Sequence, residues 1–198
     1  MVYEIQLNKE IFHLNEDGLP CLVHYKAKMG GSQFTVTLIA DLFLQGSKVL
    51  FLTAYPMAKD NFLEQTKGME SKIFFVEKKE DLAEAQKYQA IILKSGDGSL
   101  YLEALKSLTD LKDRVILVKN FEMFDQNVLD SSIMLEKIIF SGDIDKSVAK
   151  KQISSKLYKT IIMFSESETP LPVQVPSLEK YTGYLKTANK EGLVKLKM

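Results

Sequence analysis

Short, continuously apolar segments alternate with helical patterns along most of this chain. The segment KVLFLT, residues 48–53, holds four apolar residues in succession, which is typical of a strand buried on both faces of a sheet. Helical segments between such strands supply the crossovers that parallel strands need. We therefore predict an α/β fold, with a mostly parallel sheet that carries helices on both faces.

The predicted elements cover most of the first 169 residues, which we expect to form one domain. The predicted strands comprise residues 22–25, 48–53, 72–76, 90–93, 115–118, 137–140 and 160–164. The predicted helices comprise residues 34–45, 58–66, 81–87, 100–111 and 144–157. Residues 1–169 are thus the predicted α/β domain.

The C-terminal segment has a different character. Pro170, Pro172 and Pro176 are typical of an extended linker. The tetrapeptide NKEG, residues 189–192, separates two segments with strand character, which indicates a hairpin turn. Residues 170–198 are therefore predicted to form a proline-rich linker and a β-hairpin that packs on or beside the domain.

Composition excludes several classes of protein. Lysine and arginine together number 26, as do aspartate and glutamate, so no net charge draws the chain to nucleic acid or to a membrane. Arg114 is the only arginine, which leaves little scope for an arginine finger. Cys21 is the only cysteine, and the longest apolar run, residues 36–44, is too short to cross a bilayer. With no signal sequence recognisable in its first twenty residues, the chain is predicted to be cytoplasmic.

A segment with two adjacent glycines, KMGGSQFT (residues 28–35), lies between the first predicted strand and the first predicted helix. Phosphate-binding loops occupy such a position and read G-x-x-x-x-G-K-[ST]; their backbone N–H groups surround the phosphates and their lysine neutralises them. Gln33 stands at the lysine position, and Phe34 stands at the position of the hydroxyl that holds Mg²⁺. The segment has the location of such a loop but lacks two of its functional side chains.

Residues 28–56 resemble the opening of P-loop ATPases of the MinD/ParA kind and, more loosely, of RecA/KaiC-like ATPases. In the first group the loop reads K-G-G-x-G-K-T-T, which Lys28, Gly30 and Thr35 match. The following segment, LIADLFLQGSKVLFLTAYP, is similar to the family's helix–Gly–Lys–VLLIDADP passage. The resemblance spans roughly the first 100 residues and implies a P-loop NTPase or RecA-like fold.

The resemblance also implies that the metal chemistry is lost. Thr53 and Tyr55 replace the two aspartates of the passage just described. Residues 88–98, YQAIILKSGDG, resemble the family's Y-D-x-I-I-I-D-T strand, whose last aspartate organises the water around Mg²⁺; Lys94 stands at that position. Phosphoryl transfer needs a metal ion and positive charge around the phosphates. We therefore expect a catalytically degenerate protein that acts as a binding or assembly subunit rather than an active enzyme.

The expected partners are further copies of this chain or an active ATPase relative, and no cofactor with a normal Mg²⁺ site is expected. The alternative is an atypical nucleotide-binding ATPase or switch, in which ATP binds and Lys28 supplies the charge. A tight strand-to-helix turn without a ligand explains the glycines equally well. No catalytic or metal-ligating residue is predicted. The candidate nucleotide-binding residues are Lys28, Gly30, Gly31, Ser32, Gln33, Thr35 and Lys94.

A lysine-rich segment lies in the second half of the chain. It contains no acidic residue and is followed by further aromatic and lysine residues. Such a combination can bind single-stranded nucleic acid, which gives a RecA-like accessory protein as a second alternative. A solvated helix face accounts for the same pattern, and the zero net charge favours it. The lysines concerned are Lys146, Lys150, Lys151, Lys156 and Lys159.

The remaining polar candidates are isolated. Glu122 and Asp125 follow a predicted strand, at the edge where α/β sheets bind their ligands, so they are candidate lining residues. His24 has no partner at a metal-ligand spacing. Asp143 and Asp145 are predicted to cap a turn rather than to hold a cation.

Overall fold

The computed structural model describes residues 5–7, 10–11, 13–94, 96, 98–173, 175, 178, 182–189 and 191–196. Within these residues the strands are β1 (Ile5–Leu7), β2 (Glu10–Ile11), β3 (Cys21–His24), β4 (Lys48–Thr53), β5 (Ile73–Val76), β6 (Ala90–Lys94), β7 (Arg114–Lys119), β8 (Ile138–Gly142), β9 (Thr160–Met163), β10 (Thr182–Thr187) and β11 (Glu191–Leu196). The α-helices are α1 (Gly31–Leu44), α2 (Pro56–Gln65), α3 (Leu82–Ala85), α4 (Ser99–Ser107), α5 (Gln126–Ile133) and α6 (Lys150–Ser155).

All these strands belong to one sheet, in the order β2-β1-β11-β10-β9-β3-β8-β7-β4-β6-β5. The strands from β9 to β5 in that order run parallel. The predicted hairpin is formed by β10 and β11, and it extends the sheet because β10 pairs antiparallel with β9. The predictions of a mostly parallel α/β sheet and of a C-terminal hairpin are confirmed. The predicted hairpin strands were residues 181–186 and 193–197, of which Tyr181 and Lys197 are outside the described residues.

Each face of the parallel sheet packs against its own layer of helices. Phe43 of α1 and Phe62 of α2 are fully buried on one face, while α3 to α6 cover the other. Full burial of an apolar side chain of this size stabilises the fold by about 1.5–3 kcal/mol. Successive strand residues face opposite layers. In β7, Leu117 belongs to the first core and Val118 to the second, so Lys119 points to the face that α1 covers.

The segment between β8 and β9 differs from its prediction. Residues 144–157 were predicted to be one helix, but they form a 3-10 turn (Ile144–Lys146) and, separately, α6. The interruption lies at Ser147, which has an extended backbone and whose hydroxyl accepts the N–H of Ala149.

Helix α5 was not predicted; it is short, and Asp125 caps it by accepting the N–H of Val128. Within the described residues, no helix has both the length and the apolar character needed to span a bilayer.

Candidate functional site

The carboxyl ends of neighbouring parallel strands border one cleft. The predicted phosphate-binding loop follows β3, and residues at the ends of β7, β8 and β4 face it across a cleft of about 1110 Å³. Parallel α/β sheets bind their ligands at this edge, and small-molecule sites occupy about 300–1,000 Å³, so the cleft has room for a nucleotide. Its polar lining residues include Lys26, Lys28, Ser32, Gln33, Lys119, Asn120, Glu122, Asp143 and Lys146.

Gly30 lets the chain turn sharply from the loop into α1. Its φ of 91° is left-handed, and its carbonyl accepts the N–H groups of Gln33 at 3.2 Å and Phe34 at 3.1 Å. The N–H groups of Gly31 and Ser32 have no acceptor among the described hydrogen bonds, as is usual in a first helical turn. These donors lie at the positive end of the helix dipole, so the loop offers free N–H groups to an anion.

Gly31 is required by the close approach of the loop to the preceding strand. A Cβ atom at this position would lie 2.5 Å from the side chain of Tyr25. That tyrosine is buried, and its hydroxyl accepts hydrogen bonds from Asn120 and Ser141. A side chain at position 31 therefore cannot be accommodated unless Tyr25 moves.

The P-loop motif can be aligned to this chain by the start of α1 as well as by sequence, and the two alignments differ. Phe34, which was assigned the hydroxyl position, is fully buried and packs on Phe164 with ring centroids 4.9 Å apart. An alignment by the start of α1, at Gly31, would instead match Gly30, Gly31 and Ser32 to the final glycine, the lysine and the hydroxyl of the motif. In either alignment the lysine is absent from the loop.

The structure brings together only part of the predicted site. Lys28, Gly30, Ser32 and Gln33 line the cleft, and Gly31 supports it. Thr35 is buried beneath the loop, where its hydroxyl donates to the carbonyl of Gly31 at 2.7 Å and accepts from Ser141. Its role is to hold the first turn of α1 against β8.

Lys94 lies outside the cleft. It ends β6, and three strands separate β6 from β3, a displacement of roughly 19 Å at the usual strand spacing of about 4.8 Å. It borders a separate hollow of about 270 Å³ with Lys59, Phe75 and Glu77. The structure therefore does not bring Lys94 together with the loop.

Another lysine, which sequence reasoning missed, reaches the loop instead. Lys119 ends β7, only 2% of it is exposed, and only β8 lies between β7 and β3. Its Nζ donates to Ser32 Oγ at 2.7 Å and to Asn120 Oδ1 at 2.8 Å. In P-loop NTPases a loop hydroxyl and a strand-end aspartate hold Mg²⁺ between them. In this chain the strand end that faces the Ser32 hydroxyl carries a lysine.

The charge of Lys119 is poorly compensated. Among the described residues, no carboxylate oxygen lies within 4.0 Å of its Nζ. Burial lowers the pKa of Lys119 from 10.5 to about 8, and the charge of Glu122 acts in the opposite direction. Burial also raises the pKa of Glu122, although its carboxylate accepts the N–H of Asp143 at 3.1 Å. Such perturbed groups are common where a cleft binds a ligand. Glu122 lines the cleft as predicted, whereas Asp125 caps α5.

Two cleft residues have a strained backbone. Lys28 and Asn120 have φ values of 68° and 57°, and no other non-glycine residue in the described part of the chain has a positive φ. Such conformations cost about 1–3 kcal/mol and are concentrated at functional sites. Their occurrence on both sides of the cleft marks it as the candidate functional site.

His24, Asp143 and Asp145 place potential metal ligands within 4.8 Å of one another, but hydrogen bonds already engage them. His24 Nδ1 accepts the N–H of Ile144, and its Nε2 lies 3.2 Å from the hydroxyl of Ser165. Asp143 accepts the N–H of Asp145, as predicted for a cap. The carboxylate of Asp145 in turn accepts hydrogen bonds from N–H and hydroxyl groups of residues 167–169. The cluster therefore stabilises loops.

The lysines of the second half do not share one helix face. Lys146 pairs with Asp143 at 3.4 Å. Lys156 donates to the carbonyls of Ile133 and Leu135 at the end of α5, and burial lowers its pKa. Four of the five are exposed: Lys146, Lys150, Lys151 and Lys159.

Comparison with known proteins identifies the fold. No protein-family model and no curated protein matches the chain. The genome packaging NTPase B204 from Sulfolobus turreted icosahedral virus 2, in complex with sulfate, is similar over 90% of this chain and 94% of that chain, with a TM-score of 0.59 and 12% sequence identity. The same protein in complex with AMPPCP gives a TM-score of 0.60 at 11% identity, over 90% of this chain and 95% of that one.

This likeness extends over nearly the full length of both chains and includes the sheet with its crossover helices. It does not test the finer resemblance to MinD/ParA-type or RecA-like ATPases, which stays a prediction. The chain has the α/β fold of the P-loop NTPases.

Proposed function

We propose that this chain is a catalytically degenerate P-loop ATPase-like protein that acts as a binding or assembly subunit. The observation that carries the proposal is the lysine at the strand end: Lys119 Nζ lies 2.7 Å from the hydroxyl of Ser32. Hydrolysis by P-loop enzymes needs Mg²⁺ between that hydroxyl and a carboxylate. An ammonium group has three donors and no lone pair, so it cannot ligate Mg²⁺.

Two further losses support the same conclusion. The loop cannot carry its usual lysine, since Tyr25 occupies the space beside Gly31. The only arginine, Arg114, lies at the opposite end of β7 and is fully buried, so it cannot reach a phosphate as an arginine finger would.

The cleft nevertheless keeps features that suit an anionic ligand. The first turn of α1 presents free N–H groups, and Lys28 adds an exposed positive charge at the same rim. The structures of B204 with sulfate and with AMPPCP contain an anion and a nucleotide analogue. By analogy of fold, we infer that a phosphate-bearing ligand binds in this cleft.

An assembly role is supported by apolar side chains at the rim. Tyr55 and Met57, at the start of α2, line the cleft and are 46% and 68% exposed. Aromatic residues and methionine are enriched in protein interfaces. We infer that a second copy of this chain or an active ATPase relative covers this rim.

Two measurements test the proposal. Phosphate release from ATP with excess Mg²⁺ should stay at the level of the buffer blank; turnover that Lys119→Met abolishes would refute the proposed loss of activity.

Light scattering should detect an oligomer, and the double substitution Tyr55→Ser with Met57→Ser should weaken it. Met134→Ser is the matched control, because Met134 is 82% exposed and lies outside the cleft. An equal effect of both changes would contradict the proposed interface.

The alternative is a nucleotide-dependent switch in which Lys28 makes the charged contact. The position of Lys28 in the lining of the cleft supports this alternative. A ligand at 100 times its Kd adds about 2.7 kcal/mol to the free energy of unfolding. A thermal shift with ATP that Lys28→Met removes, together with a change in oligomeric state on binding, would favour the switch.

A further inference from the structure

The metal chemistry of P-loop ATPases does not fit the residues around this loop. Those enzymes hold Mg²⁺ beside the loop hydroxyl, but in this chain the ammonium of Lys119 lies 2.7 Å from Ser32 Oγ. The nearby carboxylates are engaged elsewhere: Glu122 accepts the N–H of Asp143, and Asp143 pairs with Lys146 at 3.4 Å. The protein therefore places its own positive charge where the metal ion would stand.

Lys119 also needs a negative partner. Only 2% of it is exposed, and its two described acceptors, on Ser32 and Asn120, are neutral oxygens. A buried charge is unfavourable without a counter-charge, and a lysine ammonium has a third donor to offer. Ser32 links this cation to the first turn of α1, since its hydroxyl accepts from Lys119 and its N–H belongs to the helix end. Donors from β7 and from α1 thus border the same part of the cleft.

We propose that this cleft binds the phosphate groups of a nucleoside di- or triphosphate directly, without a divalent metal ion, and that the ammonium of Lys119 takes the place of Mg²⁺. The inference rests on the proposed function and specifies the ligand of its site. The cleft volume of about 1110 Å³ leaves space for a nucleoside beside the phosphates. Lys28 provides a second positive charge on the loop itself.

Calorimetric titration of the full chain tests this directly. ADP and inorganic pyrophosphate are each titrated with EDTA present and again with excess Mg²⁺. Both ligands should bind in EDTA, and Mg²⁺ should weaken binding because it competes with Lys119 for the phosphate oxygens. If ADP and pyrophosphate bind with equal affinity in EDTA, the cleft recognises the phosphates alone. If ADP binds more tightly than pyrophosphate, the cleft also contacts the nucleoside. Binding of ADP only with Mg²⁺, or of neither ligand at millimolar concentration in EDTA, would overturn the proposal.

Substitutions at the strand end give an independent test. Lys119→Met removes a charge-assisted contact and should weaken ADP binding in EDTA by about 10- to 100-fold. Its fold can be checked by circular dichroism, since methionine fits a buried lysine site. Lys119→Asp restores the carboxylate of active ATPases, so this variant should bind ADP more tightly with Mg²⁺ than in EDTA. The control is Lys94→Met, which should leave the affinity unchanged because Lys94 lies outside the cleft. Wild-type affinity in Lys119→Met would refute the inference.

The two proposals fail in different ways. Hydrolysis of ATP with Mg²⁺ would refute the degenerate-ATPase proposal, whatever the metal-free titrations give. Absence of metal-free binding together with absence of hydrolysis would refute only the role of Lys119 as a substitute for the metal.

Discussion

Strand β7 carries a buried cation at each end, and the surroundings of the two cations differ. At its start, the guanidinium of Arg114 donates twice to the carboxylate of Asp110, at 2.9 Å from both Nε and Nη2. At its end, Lys119 has only neutral acceptors. The remaining donors of the arginine reach the carbonyl oxygens of Val49, Gln86, Tyr88 and Gln89.

The difference separates a structural charge from a functional one. Buried charges with a counter-ion and a full set of acceptors hold elements together; Arg114 fixes the ends of β4 and β6 beside β7. A buried charge without a counter-ion reduces stability, and such charges are concentrated where they serve binding or catalysis. Lys119 is such a charge, and it borders the cleft.

Arg114→Met should produce the largest loss of stability. Removal of one partner of a buried ion pair costs about 3–5 kcal/mol, because the other partner and its acceptors are left unpaired. Urea denaturation measures the loss. Lys48→Met is the control: Lys48 pairs with the same Asp110 at 2.8 Å but is 46% exposed, so its loss should cost about 1 kcal/mol or less. Equal effects of the two substitutions would show that the arginine is not the structural charge.

Lys119→Met should have the opposite effect and should make the protein more stable at pH 7. The pKa of Lys119 is about 8 in the folded chain against 10.5 for an ordinary lysine. Between these values the unfolded chain binds more protons, so the wild-type free energy of unfolding should rise with pH across this window. The rise should be on the order of 3 kcal/mol. Unfolding measured from pH 7 to pH 10 should show it in the wild type and not in the variant; parallel curves would contradict the low pKa.

The sequence predicted the sheet well because its strands are buried on both faces. The observed β4 has the predicted bounds, and β6 extends its prediction by Lys94 only. The short strands β1 and β2 were not predicted, since two or three residues give no periodic signal. The position of the loop was also predicted from sequence, because a glycine affects the backbone conformation at its own position: Gly30 provides the left-handed turn.

The lysine of the site could not be predicted in the same way. Strands β6 and β7 read AIILK and RVILVK, so each ends in a lysine after an apolar run. Which of the two lies near the loop depends on the order of strands, which is set by long-range pairing. In the sheet β7 is separated from β3 by β8 alone, whereas β6 lies beyond β4. The sequence analysis followed the family resemblance to Lys94, and Lys119 was not a candidate.

Gly31→Ala tests whether the loop could carry the charge in place of β7. The new Cβ would lie 2.5 Å from Tyr25, and such overpacking costs about 1–3 kcal/mol. Gly96→Ala is the matched control, because no atom lies within 4 Å of a Cβ built at Gly96, and it should change stability by less than about 0.5 kcal/mol. Thermal unfolding of both variants gives the comparison. If Gly31→Ala is as stable as the control, a lysine at position 31 is sterically allowed. The contact with Tyr25 would then not explain why the cation is on β7.

Ser32→Ala should have the smallest effect, and the effect should depend on the charge of Lys119. The serine accepts a hydrogen bond from Lys119 at 2.7 Å, and a net contribution of about 1 kcal/mol is usual for such a bond near solvent. A double-mutant cycle with Lys119→Met isolates this coupling. Urea unfolding should give about 1 kcal/mol at pH 7, where the lysine is charged, and much less at pH 10, where the low pKa leaves it neutral. A coupling energy that is equal at both pH values would mean that Ser32 and Lys119 interact by packing alone, and the contrast with Arg114 would then lose its electrostatic basis.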